Sequence, residues 1–190
     1  MSDLMSTEGF IKALLSPQRR DQIDPYQILT WAPIDTHHKV ADIGCGPGYF
    51  ALPLAKYLSY GRLYALDIDD EMLEAFRKRA EEARVSNIET MKCGDVDFPL
   101  EERSLDGLLL AFVIHESQNR GTFMSAAARL LKPKGWCCVL EWRRKETDDG
   151  PPLEIHIEPQ EMEALARDAG LTPYRRRDLK GTQYMLLMRR

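Results

Sequence analysis

A chain of 190 residues is long enough to fold as one domain with a sizeable core. Apolar residues make up 44% of it and charged residues 29%, an ordinary balance for a globular protein. With 26 Lys and Arg against 30 Asp and Glu the net charge is −4, which gives no global pull toward nucleic acid or an anionic membrane, and no apolar run approaches the roughly 20 residues that span a bilayer.

The expected organisation is a single domain over 1–190, with an N-terminal helical cap segment over 1–38 and an α/β core over 39–190. Phe10, Ile11, Leu14 and Leu15 have helical spacing, and Pro17 ends that run. Residues 1–10 lack a basic region followed by an apolar stretch, so no secretion signal is expected. Asp24-Pro25 reads as a helix start, with Asp24 as cap and proline at the first helical position. His37 and His38 read as exposed and without a role.

From Lys39 onward strands and helices alternate. The first strand is 39–44 and the first core helix 49–59, although Pro53 sits deep enough to delay its start. A second strand over 62–67 is followed by an amphipathic helix over 70–84, with Met72, Leu73, Phe76, Ala80 and Ala83 on one face. A short third strand spans 87–92. A fourth, 106–113, is nearly all apolar, as a strand buried on both faces should be. A helix over 122–131 stops at Lys132-Pro133, and a fifth strand follows over 135–142. The segment 148–152 is the clearest loop and lies where a lid would lie. A helix over 159–169 and a hairpin of strands 174–178 and 182–188 close the chain. Such alternation predicts an α/β, doubly wound, mainly parallel sheet with helices on both faces, and the hairpin adds one antiparallel strand.

The chemistry starts at Asp42-Ile43-Gly44-Cys45-Gly46-Pro47-Gly48-Tyr49, where a buried strand runs into three alternate glycines and a helix. Glycine there admits backbone angles other residues avoid, and the turn would aim free N–H groups at a ligand. Alone the pattern is weak, since dinucleotide enzymes use a similar turn. Asp67 ends the second strand, where a carboxylate can accept from both ribose hydroxyls of an adenosine ligand. Ile68 could flank the adenine. Asp95 could accept from the adenine amino group while the Val96 N–H donates to a ring nitrogen. Read singly, Asp67 could cap the following helix and Asp95 could be a turn residue. Asp42 is harder to explain that way, because an acid in an apolar strand end needs a partner.

These motifs resemble the class I S-adenosylmethionine-dependent methyltransferases, and the resemblance runs from about Asp24 to the C-terminus. It rests on D-I-G-C-G-P-G at 42–48, L-D-I-D at 66–69, G-D-V-D-F-P at 94–99 and L-L-K-P-K-G-W at 130–136. It implies a seven-stranded Rossmann-like sheet of order 3-2-1-4-5-7-6 with strand 7 antiparallel. It implies S-adenosyl-L-methionine as methyl donor and S-adenosyl-L-homocysteine as product. Asp42, Gly44, Gly46 and Gly48 would hold the methionine part, with Cys45 and Tyr49 alongside and the helix start after Gly48 facing the methionine carboxylate. Asp67 would hold the ribose, and Asp95 with Val96 the adenine.

The acceptor side is less defined. His115 and Glu116 follow the fourth strand, at the end where ligands bind in open α/β sheets. His115 could be a general base, a substrate contact or a loop support. Glu141 and Trp142 end the fifth strand and are expected to line the acceptor site, with His156 reaching it from the lid. Tyr49, Phe112 and Trp142 could offer π faces to a sulfonium or an acceptor, or could be core. The leading expectation is methyl transfer to a small-molecule acceptor by a monomer or homodimer. An enzyme acting on RNA or protein, through Arg143-Arg144-Lys145 or Arg175-Arg176-Arg177, is the second class, and a non-catalytic cofactor-binding protein or a dehydrogenase the third. Cys45, Cys93, Cys137 and Cys138 form no C-x-x-C pair and read as buried thiols of a cytoplasmic protein, with no metal site.

Overall fold

The computed structural model describes residues 6–147 and 150–190, so Asp148 and Asp149 of the expected lid loop lie outside the described residues. Seven strands form one sheet: β1 (Lys39–Ile43), β2 (Arg62–Asp67), β3 (Ile88–Lys92), β4 (Leu105–Ala111), β5 (Leu131–Trp142), β6 (Thr172–Leu179) and β7 (Gln183–Arg189). Their order is β3-β2-β1-β4-β5-β7-β6, as expected, with β7 antiparallel to both neighbours and the other pairs parallel. Pro173 sits on β6, at the sheet edge beside an irregularity in its pairing with β7, where a missing N–H costs no ladder bond.

Helices α1 (Thr7–Leu14), α2 (Pro17–Gln22) and α3 (Pro25–Trp31) precede the sheet, and α4 (Ala51–Tyr57), α5 (Asp70–Glu82), α6 (Arg120–Leu130) and α7 (Pro159–Asp168) connect its strands. Strand alternation divides the core into two layers. On one side Val40, Leu63, Cys138 and Leu140 pack with Ile28, Leu54 and Phe76 from α3, α4 and α5. On the other, Ala41, Leu108, Cys137 and Val139 pack with Met124 and Met162 from α6 and α7. Adjacent Cys137 and Cys138 therefore point to opposite faces, and both are buried and free. Burial pushes the Cys138 thiol up to about 12, which keeps it protonated and unreactive.

Several local expectations change. Pro17 ends α1 and also opens α2, with the Ser16 hydroxyl accepting from the Arg19 N–H at 3.2 Å. The cap thus has three helices. Pro53 is third in α4, within the first turn, where its missing N–H has no intrahelical partner to lose. Asp69 caps α5, its Oδ1 accepting from Glu71 N–H at 2.8 Å, which leaves Asp67 for other work. His38 is half-buried: its Nδ1 accepts from the Asp35 N–H at 3.1 Å and the Trp136 indole N–H at 3.3 Å. A role-free His38 is therefore incorrect, since it satisfies an indole that is itself buried. β5 starts at Leu131, directly after α6, and runs through Pro133.

Candidate active site

The carboxyl ends of β1, β2, β4 and β5 open into a cavity of about 780 Å³ that the cap roofs. That lies in the upper part of the roughly 300–1,000 Å³ typical of small-molecule sites. Asp42, Gly44, Cys45 and Gly46 line it from β1 and its turn, Asp67 and Ile68 from β2, and Asp95 from beyond β3. Tyr49, Phe112, His115, Glu116 and Trp142 complete the parts read from sequence.

The glycine turn works through shape. Gly44 has φ +74° and Gly48 φ +80°, both in the left-handed region. A Cβ on Gly44 would overlap Val113, and one on Gly48 would overlap the Phe76 ring of α5. Gly48 does not line the cavity, so its place among the methionine-binding residues is corrected: it lets α5 pack against the turn. The expected free N–H groups are corrected too. Those of Gly44 and Cys45 donate to the Leu66 carbonyl at 2.8 and 3.0 Å, and that of Gly48 to the Cys45 carbonyl at 3.0 Å. The Gly46 N–H donates to Asp67 Oδ2 at 2.7 Å.

Asp42 is 1% exposed and its Oδ1 has no hydrogen-bond partner. Burial, then repulsion from Asp67, hold its carboxyl well above the usual carboxylate range, and Arg19 offsets only part of this. Such an atom marks a place for a cationic donor. Asp67 accepts from Gly46 and, through Oδ1, from the Asp69 N–H at 3.0 Å, keeping lone pairs for the cavity. Beside it Ile68 is 61% exposed and lends the cavity an apolar surface. Asp95 is exposed and accepts from the Ser117 hydroxyl at 3.1 Å. Val96 packs into the core on the α6 side, and its side chain does not line the cavity. These acids, an orphaned carboxyl at the end of β1 and a second carboxylate at the end of β2, fit the ammonium and ribose of S-adenosylmethionine.

At the floor, a short 3-10 turn, Ile114–Glu116, brings His115 over β5. His115 Nδ1 lies 2.9 and 3.1 Å from the two Glu141 carboxylate oxygens. Glu141 Oε1 also accepts from the His115 backbone N–H at 3.2 Å, and Oε2 from that of Trp142 at 3.1 Å. Glu141 is fully buried and does not line the cavity. Its place as a substrate-lining residue is therefore corrected: it sits beneath His115 and orients it. Strand alternation carries that signal, because Glu141 shares a face with Cys137 and Val139 while Trp142 shares the other with Cys138 and Leu140. His115 Nε2 is left for the cavity, 3.9 Å from Glu116 Oε1.

Phe112 holds φ +58°, an uncommon value for an aromatic residue, and lies 5.4 Å from Trp142 and 6.3 Å from Phe50 between ring centroids. Tyr49 meets Phe50 edge-on at 5.1 Å, and its hydroxyl donates to the Ile23 carbonyl at 2.6 Å. Trp142 stacks on His156 at 5.9 Å. His156 itself is buried and does not reach the cavity: its ring nitrogens lie 2.6 Å from the Arg143 carbonyl and 3.0 Å from that of Pro151. It pins the strap whose Gly150 and Pro151 do line the site. The residue the sequence reading missed is Arg19 of α2. Its guanidinium lies 4.6 Å over Tyr49 and 5.8 Å from Phe112, inside the cavity. Ser16-Pro17, a cap and a first helical residue, signals a helix that carries Arg19, but no local pattern shows which way that helix faces.

A family model described as a methyltransferase domain matches residues 41–139. The chain belongs to the methyltransferase-domain family. Its strand order is that of the class I S-adenosylmethionine-dependent fold. A SAM-dependent methyltransferase from Aquifex aeolicus aligns with a TM-score of 0.89 and 25% identity, covering 97% of this chain and 98% of that one. The demethylmenaquinone methyltransferase of Tropheryma whipplei is 32% identical over 119 residues, 63% of this chain and 48% of that protein. The ubiquinone/menaquinone biosynthesis C-methyltransferase UbiE of Cellvibrio japonicus is 28% identical over 60% of this chain and 47% of its own length. The chain thus spans about half the length of these curated relatives. Among the described residues no helix is long and apolar enough to cross a membrane, and no cluster of metal-ligating side chains is present.

Proposed function

We propose that this chain, a single domain of cap 1–38 and core 39–190, transfers a methyl group from S-adenosylmethionine to a small-molecule acceptor that gives up a proton, and that His115 takes that proton. The carrying observation is the buried Glu141 carboxylate on His115 Nδ1, with Nε2 left for the cavity. A carboxylate there favours the tautomer with hydrogen on Nδ1 and stabilises the imidazolium formed when Nε2 accepts a proton.

The bound cofactor would supply an already activated methyl group. Asp42 would bind its ammonium, Asp67 its ribose hydroxyls, and Ile68 with Asp95 would frame the adenine. Phe112, Trp142 and Tyr49 would wall the acceptor chamber and exclude water while aligning the acceptor for in-line attack. Losing its proton to His115 Nε2 as the new bond forms, the acceptor never builds up full charge. A phenol, an enol or an acidic carbon fits this scheme.

The roofed cavity supports a small acceptor over RNA or protein. Of the basic runs, Arg143 pairs with Asp178 at 2.5 Å, Arg144 with Glu161 at 3.5 Å and Arg176 with Glu163 at 3.6 Å, so much of their charge is already matched. The test is calorimetry with S-adenosylhomocysteine and NAD, followed by a labelled-methyl screen of phenols, quinols, amines, thiols and metalloids. Binding of the first ligand alone and labelling of a phenol or quinol are expected. No binding of S-adenosylhomocysteine would end this reading, and labelling only of acceptors without a transferable proton would remove the base.

A further inference from the structure

The charges that line the cavity are unequal. Asp42, Asp67, Asp69, Asp95 and Glu116 line it, whereas Arg19 is the one Lys or Arg among its described lining residues. A zwitterionic amino acid needs a cation for its carboxylate as well as an anion for its ammonium. Four N–H groups of the glycine turn, those of Gly44, Cys45, Gly46 and Gly48, are spent on Leu66, Asp67 and Cys45 and are not free for a carboxylate. The helix that follows, α4, is only seven residues long.

Arg19 is placed for it. One Nη1 bond, to the Leu14 carbonyl at 3.0 Å, and the faces of Tyr49 and Phe112 hold the guanidinium, leaving most of its five donors uncommitted. Leu14, at the end of α1, lies against the turn, with its Cδ1 3.9 Å from where a Gly46 Cβ would stand. Asp42, with its orphaned Oδ1, is close enough that the two charges act on each other. An unpaired buried carboxylate oxygen thus faces the same space as a guanidinium with free donors.

We propose that Arg19 binds the α-carboxylate of the cofactor's methionine while Asp42 binds its ammonium, so that the cap itself forms part of the cofactor's site. This rests on the S-adenosylmethionine reading above. It replaces a helix N-terminus by a cap arginine as the carboxylate's partner.

The test compares S-adenosylhomocysteine with 5′-methylthioadenosine, which has the nucleoside but no amino acid, by calorimetry on the full chain. Arg19→Ala should weaken S-adenosylhomocysteine roughly 10- to 100-fold, the loss of a charge-assisted bond, and leave methylthioadenosine within about twofold. Arg19→Lys keeps the charge without the fork and should fall between. Arg20→Ala, exposed on the same helix, should change neither ligand. In hydrogen exchange, S-adenosylhomocysteine should slow the amides of residues 7–22 in the wild type but not in Arg19→Ala, and methylthioadenosine should not slow them in either. Arg19→Ala binding S-adenosylhomocysteine as tightly as wild type, or losing both ligands alike, would overturn the proposal. If the wild type binds neither ligand, the cofactor reading itself is what fails.

Discussion

Asp42→Asn is the most informative single change, because it should stabilise the unliganded protein while harming its function. The side chain keeps its shape but loses a charge that is 1% exposed and has one oxygen without a partner. Ionising a carboxyl in that buried place costs more than burying a neutral amide of the same shape there, by about 1–3 kcal/mol. At roughly 2–4 °C per kcal/mol for a chain of this size, the variant should melt about 2–12 °C higher than wild type near pH 8. The pH dependence has a fixed sign. Asp42 titrates higher in the folded than in the unfolded chain, owing to burial and then to Asp67. The folded state therefore binds that proton more tightly. Its contribution is fully present below the unfolded value of about 3.9 and is lost as pH rises through the folded value. The gap between variant and wild type should close on acidification to about pH 3, where Asp42 is largely protonated in both states. Thermal melts across pH, with calorimetry of S-adenosylhomocysteine, measure both sides. A variant that melts at or below wild type at pH 8, or a gap that is unchanged at low pH, would refute the reasoning.

Gly48→Ala should destabilise the fold by about 2–4 kcal/mol, from a left-handed backbone and overpacking against Phe76. Adding Phe76→Ala should reduce the further cost of the Gly48 change to the backbone part alone, read from denaturant midpoints in a double-mutant cycle. Glu141→Gln should lower turnover of a cognate acceptor about 100-fold, with nitrogen NMR of His115 showing loss of the single Nδ1–H tautomer; an unaltered tautomer would dismiss Glu141 as its orienting group. Lys132 lies 2.6 Å from Asp106, and the Lys39 N–H donates to the other Asp106 oxygen at 2.9 Å. Burial alone would raise the Asp106 carboxyl, but these partners outweigh it and hold it below its usual range. Lys132→Met should therefore cost about 0.5–1 kcal/mol at neutral pH. That loss should fade as pH falls through the folded value of Asp106, because a depressed carboxyl stabilises only while ionised.

The fold was legible because its signals are local. Alternating apolar strands, amphipathic helices and turn residues lie within a few positions of one another, and right-handed crossovers leave few ways to join them. The glycine turn and the acids Asp42 and Asp67 were legible for the same reason: each sits at the end of a strand, and strand ends share one edge of the sheet. Which partner each side chain meets was decided only in three dimensions. Alternation buries Glu141, but only the β4–β5 pairing and the 3-10 turn bring His115 onto its carboxylate. Gly48 reads as a ligand contact until α5 arrives with Phe76. His156 sits in the right segment for a lid residue, yet two backbone carbonyls and the Trp142 ring hold it away from the cavity. Arg19 belongs to a six-residue helix with no apolar period to reveal it, and it becomes the cavity's cation only because the cap folds back over the glycine turn. Local sequence sets each element and the face it buries. Contacts between residues far apart in the chain, such as Arg19 with Tyr49 and Phe112, have no local pattern to record them and emerge only from packing.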